Sequence, residues 1–305
     1  MATAFLGLDV GNTRLSAALV SRDGRVRVLR QDDAPPTADE AIATLVRLVE
    51  ELRATAAEPP AAAGIGFGGP VDTRSGLIRR SFLSTGWEDV PLGRLLAERL
   101  GLPTWLANDA DAAGLAEARF GAGRGALSML YVNVGTGIGG ALLLEGHLHL
   151  GATSGAGEIG HMLLDPAGPL CECGKHGCLQ ALASGTAIAR STSERLRREV
   201  TGRQAAEAAL AGDAGAQAVV DEAASWLGLG LANAAQLLDP ERIIIGGGVA
   251  ELGEILLSPM RAAYRANTLG PAGDTPIVAA ELGYDAGVIG AATLAMEGVG
   301  AGSKP

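Results

Sequence analysis

The sequence predicts an α/β protein built from two related halves facing one another across a cleft, and three observations carry that expectation. Strand and helix patterns alternate along the chain, which is how α/β domains read. The segment Leu8-Asp9-Val10-Gly11-Asn12-Thr13 is echoed by Val132-Asn133-Val134-Gly135-Thr136-Gly137, and each reads as strand, glycine turn, strand. A third glycine cluster, Gly246-Gly247-Gly248, follows an apolar strand from Arg242 to Ile245. No Pro/Gly/Ser-rich linker separates independent units, so the halves are expected to share one cleft.

The first hairpin continues through Arg14 to Val20, turns at Arg22-Asp23-Gly24 and enters a third strand from Arg25 to Arg30. A helix-period stretch follows over 38–57, then an apolar strand from Ala63 to Phe67 that ends in Gly68-Gly69-Pro70, then an amphipathic stretch from Leu92 to Leu100. Asn108-Asp109 stands where a short strand stops and a helix over 110–120 begins, a position whose ordinary role is capping and which is compatible with catalysis. The second hairpin runs through Gly139-Gly140 into Ala141 to Leu144. The later chain is mostly helical, with a long Ala-rich pattern from Ala214 to Leu238 and a tail over 298–305 that reads as frayed.

A chain of 305 residues with 48% hydrophobic content supports a sizeable core, and a net charge of -10 argues against nucleic acid as a partner. The basic run Arg195, Arg197, Arg198 is interleaved with Glu194 and Glu199 and reads as a solvated helix face. The N-terminus enters a strand pattern without a basic region or cleavage site, and no apolar run reaches membrane-spanning length. A soluble, cytoplasmic protein is expected, with no membrane partner.

All three cysteines, Cys171, Cys173 and Cys178, fall within eight residues, ten after His161. Three thiolates and an imidazole make the tetrahedral shell that Zn²⁺ prefers, and four protein ligands leave no position for a catalytic water, so the ion is expected to be structural. Chance clustering of buried thiols is the alternative. A disulfide framework does not suit a long chain this poor in cysteine.

Glycine turns present several backbone N–H groups to phosphate oxygens, which a side chain beyond Cα would obstruct. Asp9 lies beside the first such turn, where it would repel phosphate unless Mg²⁺ lay between them. Neither a Walker-type loop nor a Gly-x-Gly-x-x-Gly after the first strand is present.

Taken together these residues make the chain resemble the ROK family (repressor, open reading frame, kinase) of bacterial sugar kinases and sugar-responsive repressors. The likeness spans almost the whole chain. It is most specific at Gly157-Glu158-Ile159-Gly160-His161 and Cys171-x-Cys173-Gly174-x-x-Gly177-Cys178-Leu179, and is supported by Asn108-Asp109-Ala110, 121–125 and 135–140. The resemblance implies an actin-like (ribonuclease H-like) two-domain ATPase fold with an interdomain cleft, divided as 1–118, with the first phosphate hairpin and the catalytic Asp, and 119–305, with the second phosphate turn, the zinc site and the nucleoside glycines. Its last helix is expected to pack back on the first domain.

The resemblance further implies an ATP-dependent hexose kinase, with glucose as first choice and N-acetylglucosamine, N-acetylmannosamine, fructose or mannose as alternatives. Asp109 is then the general base. Gly69, Asn108, Asp109, Glu158, His161 and Gln180 contact the sugar, and His161 binds zinc through its other nitrogen with Cys171, Cys173 and Cys178. Asp9, Gly11, Asn12, Thr13, Gly135, Thr136 and Gly137 serve phosphate and Mg²⁺, and Gly246, Gly247 and Gly248 the nucleoside. Family likeness favours a homodimer. Two positions depart from the family pattern: Asn12 replaces a turn glycine, and Gln180 replaces a glutamate, trading an acceptor and a charge for a donor. A DNA-binding repressor and a sugar-binding protein without catalysis are the rival readings. The acidic balance opposes the first, and retention of Asp9 and Asp109 opposes the second.

Overall fold

The computed structural model describes residues 4–56, 58–81 and 85–301. The first half contains strands β1 (Ala4–Val10), β2 (Arg14–Ser21) and β3 (Val26–Asp33), helix α1 (Ala38–Thr55) and strand β4 (Ala63–Phe67). A small hairpin of β5 (Val71–Asp72) and β6 (Leu77–Ile78), helix α2 (Leu92–Leu100), strand β7 (Thr104–Asn108) and helix α3 (Asp109–Phe120) follow. The second half contains β8 (Met129–Val134), β9 (Ile138–Leu144) and β10 (His147–Leu148), then α4 (Leu179–Ala183), α5 (Gly185–Leu196), α6 (Gly202–Leu210) and α7 (Ala214–Leu238). It closes with β11 (Arg242–Gly246), α8 (Glu254–Asn267), β12 (Ile277–Ala279) and α9 (Ala286–Ala301).

Among the described residues the strands other than the β5-β6 hairpin form two five-stranded sheets of the same plan, β3-β2-β1-β4-β7 and β10-β9-β8-β11-β12. In each, a hairpin is antiparallel and the strands added beyond its first member are parallel. This doubling is the actin-like, ribonuclease H-like arrangement that the resemblance implies. Strands β1, β4 and β11 are buried almost throughout, which accounts for their nearly unbroken apolar sequences. Helix α1 forms because Thr37 caps it, accepting from the Glu40 N–H, and because Ile42, Leu45, Val49 and Leu52 recur on one face.

The two halves exchange helices. Helix α3 follows the first sheet but also packs on β8 and β9, while α9 follows the second sheet and packs on β1 and β4. Small residues set this contact: a Cβ built at Gly7 or Gly64 would overlap the carbonyl oxygens of Val288 and Ala291, and one at Gly290 would overlap that of Ala112. Backbones therefore meet where side chains ordinarily intervene.

Several boundaries differ from the sequence-based expectation. Helix α3 starts at Asp109, and the third strand extends to Asp33. The end of the helix expected over 38–57 includes Ala57, which lies outside the described residues, and the helix itself stops at Thr55. Residues 298–301 are helical rather than frayed, because the Trp105 ring lies against Gly298 and holds the end of α9; residues 302–305 lie outside the described residues. Arg195, Arg197 and Arg198 do not share a helix face, since α5 ends at Leu196 and Arg197 takes a left-handed conformation with φ 52°.

Candidate active site

The parallel strands β1, β4 and β7 end side by side, with Asp9 paired to Gly66 and Gly66 to Ala107. Their C-terminal ends bring Asp9, the Gly68-Gly69 turn and Asn108-Asp109 to one place, where ligands bind in sheets of this kind. Asn108 works in two directions. Its Oδ1 accepts the Ala110 N–H at 2.8 Å, capping α3, and its Nδ2 donates to the Gly69 carbonyl at 3.0 Å. Asp109 Oδ1 accepts the same Ala110 N–H at 2.8 Å, and Oδ2 lies over Gly68, where a Cβ would stand 3.4 Å away.

Burial first, and the crowding of acids second, raise Asp9, Asp109 and Asp111. Burial pushes the Asp109 carboxyl up to about 6; the Ala110 N–H restrains the rise and the charge of Glu158 adds to it. Asp9 is pushed up to about 7, by burial first and the Asp109 charge second. Asp111 reaches about 8 through burial and then the charges of Asp109 and Glu158, and its Oδ1 is buried without a hydrogen-bond partner.

Three cavities follow one another through this region. The first, about 200 Å³, is walled by the 68–69 turn, Asn108, Asp109, Glu158, His161 and Gln180. The second, about 300 Å³, also touches Asp109 and is lined by Asp9, Asn133, Gly246, Gly247 and Gly287. The third, about 790 Å³, shares Tyr284 and Glu251 with the second and is lined by Gly135, Thr186, Arg203 and Gly248 among others. Asp109 thus stands at the junction of a small polar chamber and a passage to a large groove.

The second and third glycine clusters abut. A Cβ at Gly247, whose φ is 85°, would lie 2.5 Å from the Val134 carbonyl oxygen, so this position requires glycine for both space and conformation. The turn over 135–137 is pinned from the other side, since Gly185 N–H donates to the Gly135 carbonyl at 2.8 Å and Thr186 Oγ1 to the Thr136 carbonyl at 2.9 Å. In the first turn Gly11 N–H donates to the Arg14 carbonyl at 3.1 Å. Asn12 does not adopt positive φ, so this turn tolerates a side chain at that position, and Asn12 borders the small chamber. Thr13 is exposed beside it.

His161, Cys171, Cys173 and Cys178 converge, with their ligand atoms all within 4.8 Å of one another. The Cys173 and Cys178 sulfurs stand 3.5 Å apart and Cys171 Sγ lies 3.7 Å from His161 Nδ1. Tetrahedral zinc with bonds of ~2.3 Å to sulfur spaces its sulfurs by ~3.8 Å, so the donor set fits that ion in chemistry and in scale. The loop closes tightly: a Cβ at Gly177 would overlap the Asp165 carbonyl, and Cys171 N–H donates to the Lys175 carbonyl at 2.8 Å. His161 turns its other nitrogen, Nε2, toward Glu158 at 4.0 Å on the chamber side.

A model of the ROK family matches residues 5–297. The chain belongs to the ROK family. It is 34% identical to a glucokinase of Thermotoga maritima, over 97% of this chain and 98% of that one. It is also 34% identical to an N-acetylmannosamine kinase of Citrobacter koseri, over 95% and 98% of the two chains. Among solved structures, a ROK family glucokinase from Streptomyces griseus in complex with glucose and AMPPNP superposes with a TM-score of 0.87 at 34% identity, covering 97% of this chain and all of that one.

Within this ROK chain, sequence reasoning missed several residues that the cavities bring in. Asp111 lies two residues beyond Asp109 in an Ala-rich helix, a signal that was available but ambiguous. Glu117, fully buried, accepts from the backbone N–H groups of Ala122, Glu281 and Leu282, tying α3 to the segment that carries Tyr284. Arg203, Thr186 and Tyr284 come from separate elements, and no local motif marks them.

Proposed function

We propose that this protein is an ATP-dependent sugar kinase that transfers the γ-phosphoryl group to glucose, giving glucose 6-phosphate. The observation that carries the reading is the place of Asp109, between a chamber of about 200 Å³ and the passage to the large groove. A sugar hydroxyl is a weak nucleophile, and a carboxylate beside it accepts the proton as the oxygen attacks phosphorus in line. A carboxyl raised to about 6 is a stronger base than an ordinary one and is still mostly ionised at neutral pH.

In this reading Gly69, Asn108, Glu158, His161 and Gln180 hold the sugar, and the groove lined by Gly135, Thr136 and Gly248 takes ATP. Asp9, at the passage, takes Mg²⁺, which relieves its repulsion from phosphate; Gly11, Asn12 and Thr13 belong to that same turn, and Gly137, Gly246 and Gly247 to the facing ones. Zn²⁺ is held by His161, Cys171, Cys173 and Cys178, and supplies order without reacting. It fixes the tautomer and direction of the His161 ring, whose Nε2 then faces the sugar.

The reading includes a division at residues 118 and 119, which falls in the last turn of α3, and a cytoplasmic homodimer, supported by family likeness and by thiols that a reducing compartment keeps available. Among the described residues no helix is long and apolar enough to cross a membrane. The deciding test is ADP release with ATP and Mg²⁺ across glucose, mannose, fructose, glucosamine, N-acetylglucosamine and N-acetylmannosamine. Glucose should respond most strongly. A dominant response to N-acetylmannosamine would move the substrate to the second reading, and silence with sugar binding intact would replace the kinase by a sugar sensor.

A further inference from the structure

The sugar chamber contains a carboxylate outside the set read from the sequence. Glu172 sits between two of the zinc-site cysteines, on a loop exposed to solvent, yet its side chain lines the chamber together with Glu158, His161 and Gln180. Its direction is set by Gln180. The Gln180 Oε1 accepts the Ile138 N–H at 3.0 Å, and that oxygen packs so closely on Gly137 that a Cβ there would lie 2.7 Å away. With the oxygen engaged, the amide nitrogen faces the other way, donating to Glu172 Oε2 at 3.4 Å. Gln180 is thereby a strut between the second phosphate turn and a carboxylate at the chamber wall.

The chamber's charge gives this residue meaning. Asp109, Asp111, Glu158 and Glu172 line it, and among the described residues no Lys or Arg does. An ionised carboxylate accepts hydrogen bonds only, and sugar hydroxyls and amines donate them. Resting on the kinase reading above, we infer that Glu172 is a specificity residue that binds sugar hydroxyl or amino groups directly, positioned by Gln180, and makes the chamber favour neutral and amino hexoses over anionic ones.

The test compares wild type with Glu172→Gln and Glu172→Asp, each first assayed for one zinc per chain because the residue adjoins the metal loop. Sugar affinity is read by calorimetry as well as by KM, so that it is measured whether or not turnover occurs. Absence of turnover in wild type would count against the kinase reading alone. For Glu172→Gln we expect the glucose Kd to rise about tenfold, the size of one lost charge-assisted hydrogen bond. The glucosamine Kd should rise further, with the KM for ATP unchanged. Equal, unaltered affinities for both sugars in zinc-loaded Glu172→Gln would overturn the inference. If that variant fails to hold zinc, Glu172→Asp, which keeps the charge on a shorter arm, decides in its place: weakened glucosamine binding supports the inference and unchanged binding overturns it.

Discussion

The two sheets share one strand order but carry different chemistry at the corresponding ends of their strands. The first sheet presents charge: Asp9 on β1 and Asp109 just beyond β7, both raised first by burial, with the Asp109 charge adding at Asp9 and the Glu158 charge adding at Asp109. The second presents backbone: the turns at 135–137 and 246–248 press together so tightly that a Cβ at Gly247 would meet the Val134 carbonyl. In the proposed kinase reading, a duplicated topology separates proton transfer and Mg²⁺ binding from phosphate cradling, and puts the transfer where the two ends meet. The cysteine loop of the second half, the proposed zinc site, reaches back to the small chamber through His161 and Glu172.

Removing the acid from the first half should cost the most. Asp109→Asn is expected to lower kcat by about 10²- to 10⁴-fold while sugar affinity is retained, checked by steady-state kinetics beside calorimetry. Near-normal turnover would mean that the charged half is not where the proton goes. Stripping zinc tests the loop that crosses between halves: the sugar KM should rise about 10- to 100-fold, with the KM for ATP little changed, in protein shown by elemental analysis to be metal-free.

The helix exchange is tested by Gly64→Ala, whose new methyl would overlap the Ala291 carbonyl and push α9 from the first sheet. A loss of about 1–3 kcal/mol in denaturant unfolding is expected. Gly300→Ala, with open space around it, should change stability little and serves as control. The smallest effects are those of pH. Below about 6 the Asp109 base is protonated, so kcat/KM should fall as pH drops through that value. Stability should move the other way. Folded carboxyls raised to about 6, 7 and 8 hold protons that the unfolded chain releases, so unliganded protein should lose Tm as pH rises from 5 to 8.

Most of the candidate site was legible because its parts are local in sequence. Asn108 and Asp109 occupy a strand end and a helix cap, His161 and the cysteines are spaced for a metal, and glycine turns interrupt apolar strands. Gln180 illustrates the limit. Its chemistry suggests a sugar contact, but its oxygen is also engaged with the Ile138 N–H forty-two residues away, and only that bond tells which way the amide faces. Asn12 raised a question about backbone conformation that the structure answers, since its φ is not positive.

The sequence by itself determined the class of the fold, its duplication and the residue types at the site, because hydrophobic period, turn chemistry and ligand spacing act over a few residues. Tertiary structure alone decided that α3 also packs on β8 and β9, that Trp105 lies against Gly298 of α9, and that Asp111 and Glu172 join one chamber with Asp109 and Glu158. Such contacts join residues from different elements through packing and desolvation, and neither leaves a periodic trace along the chain.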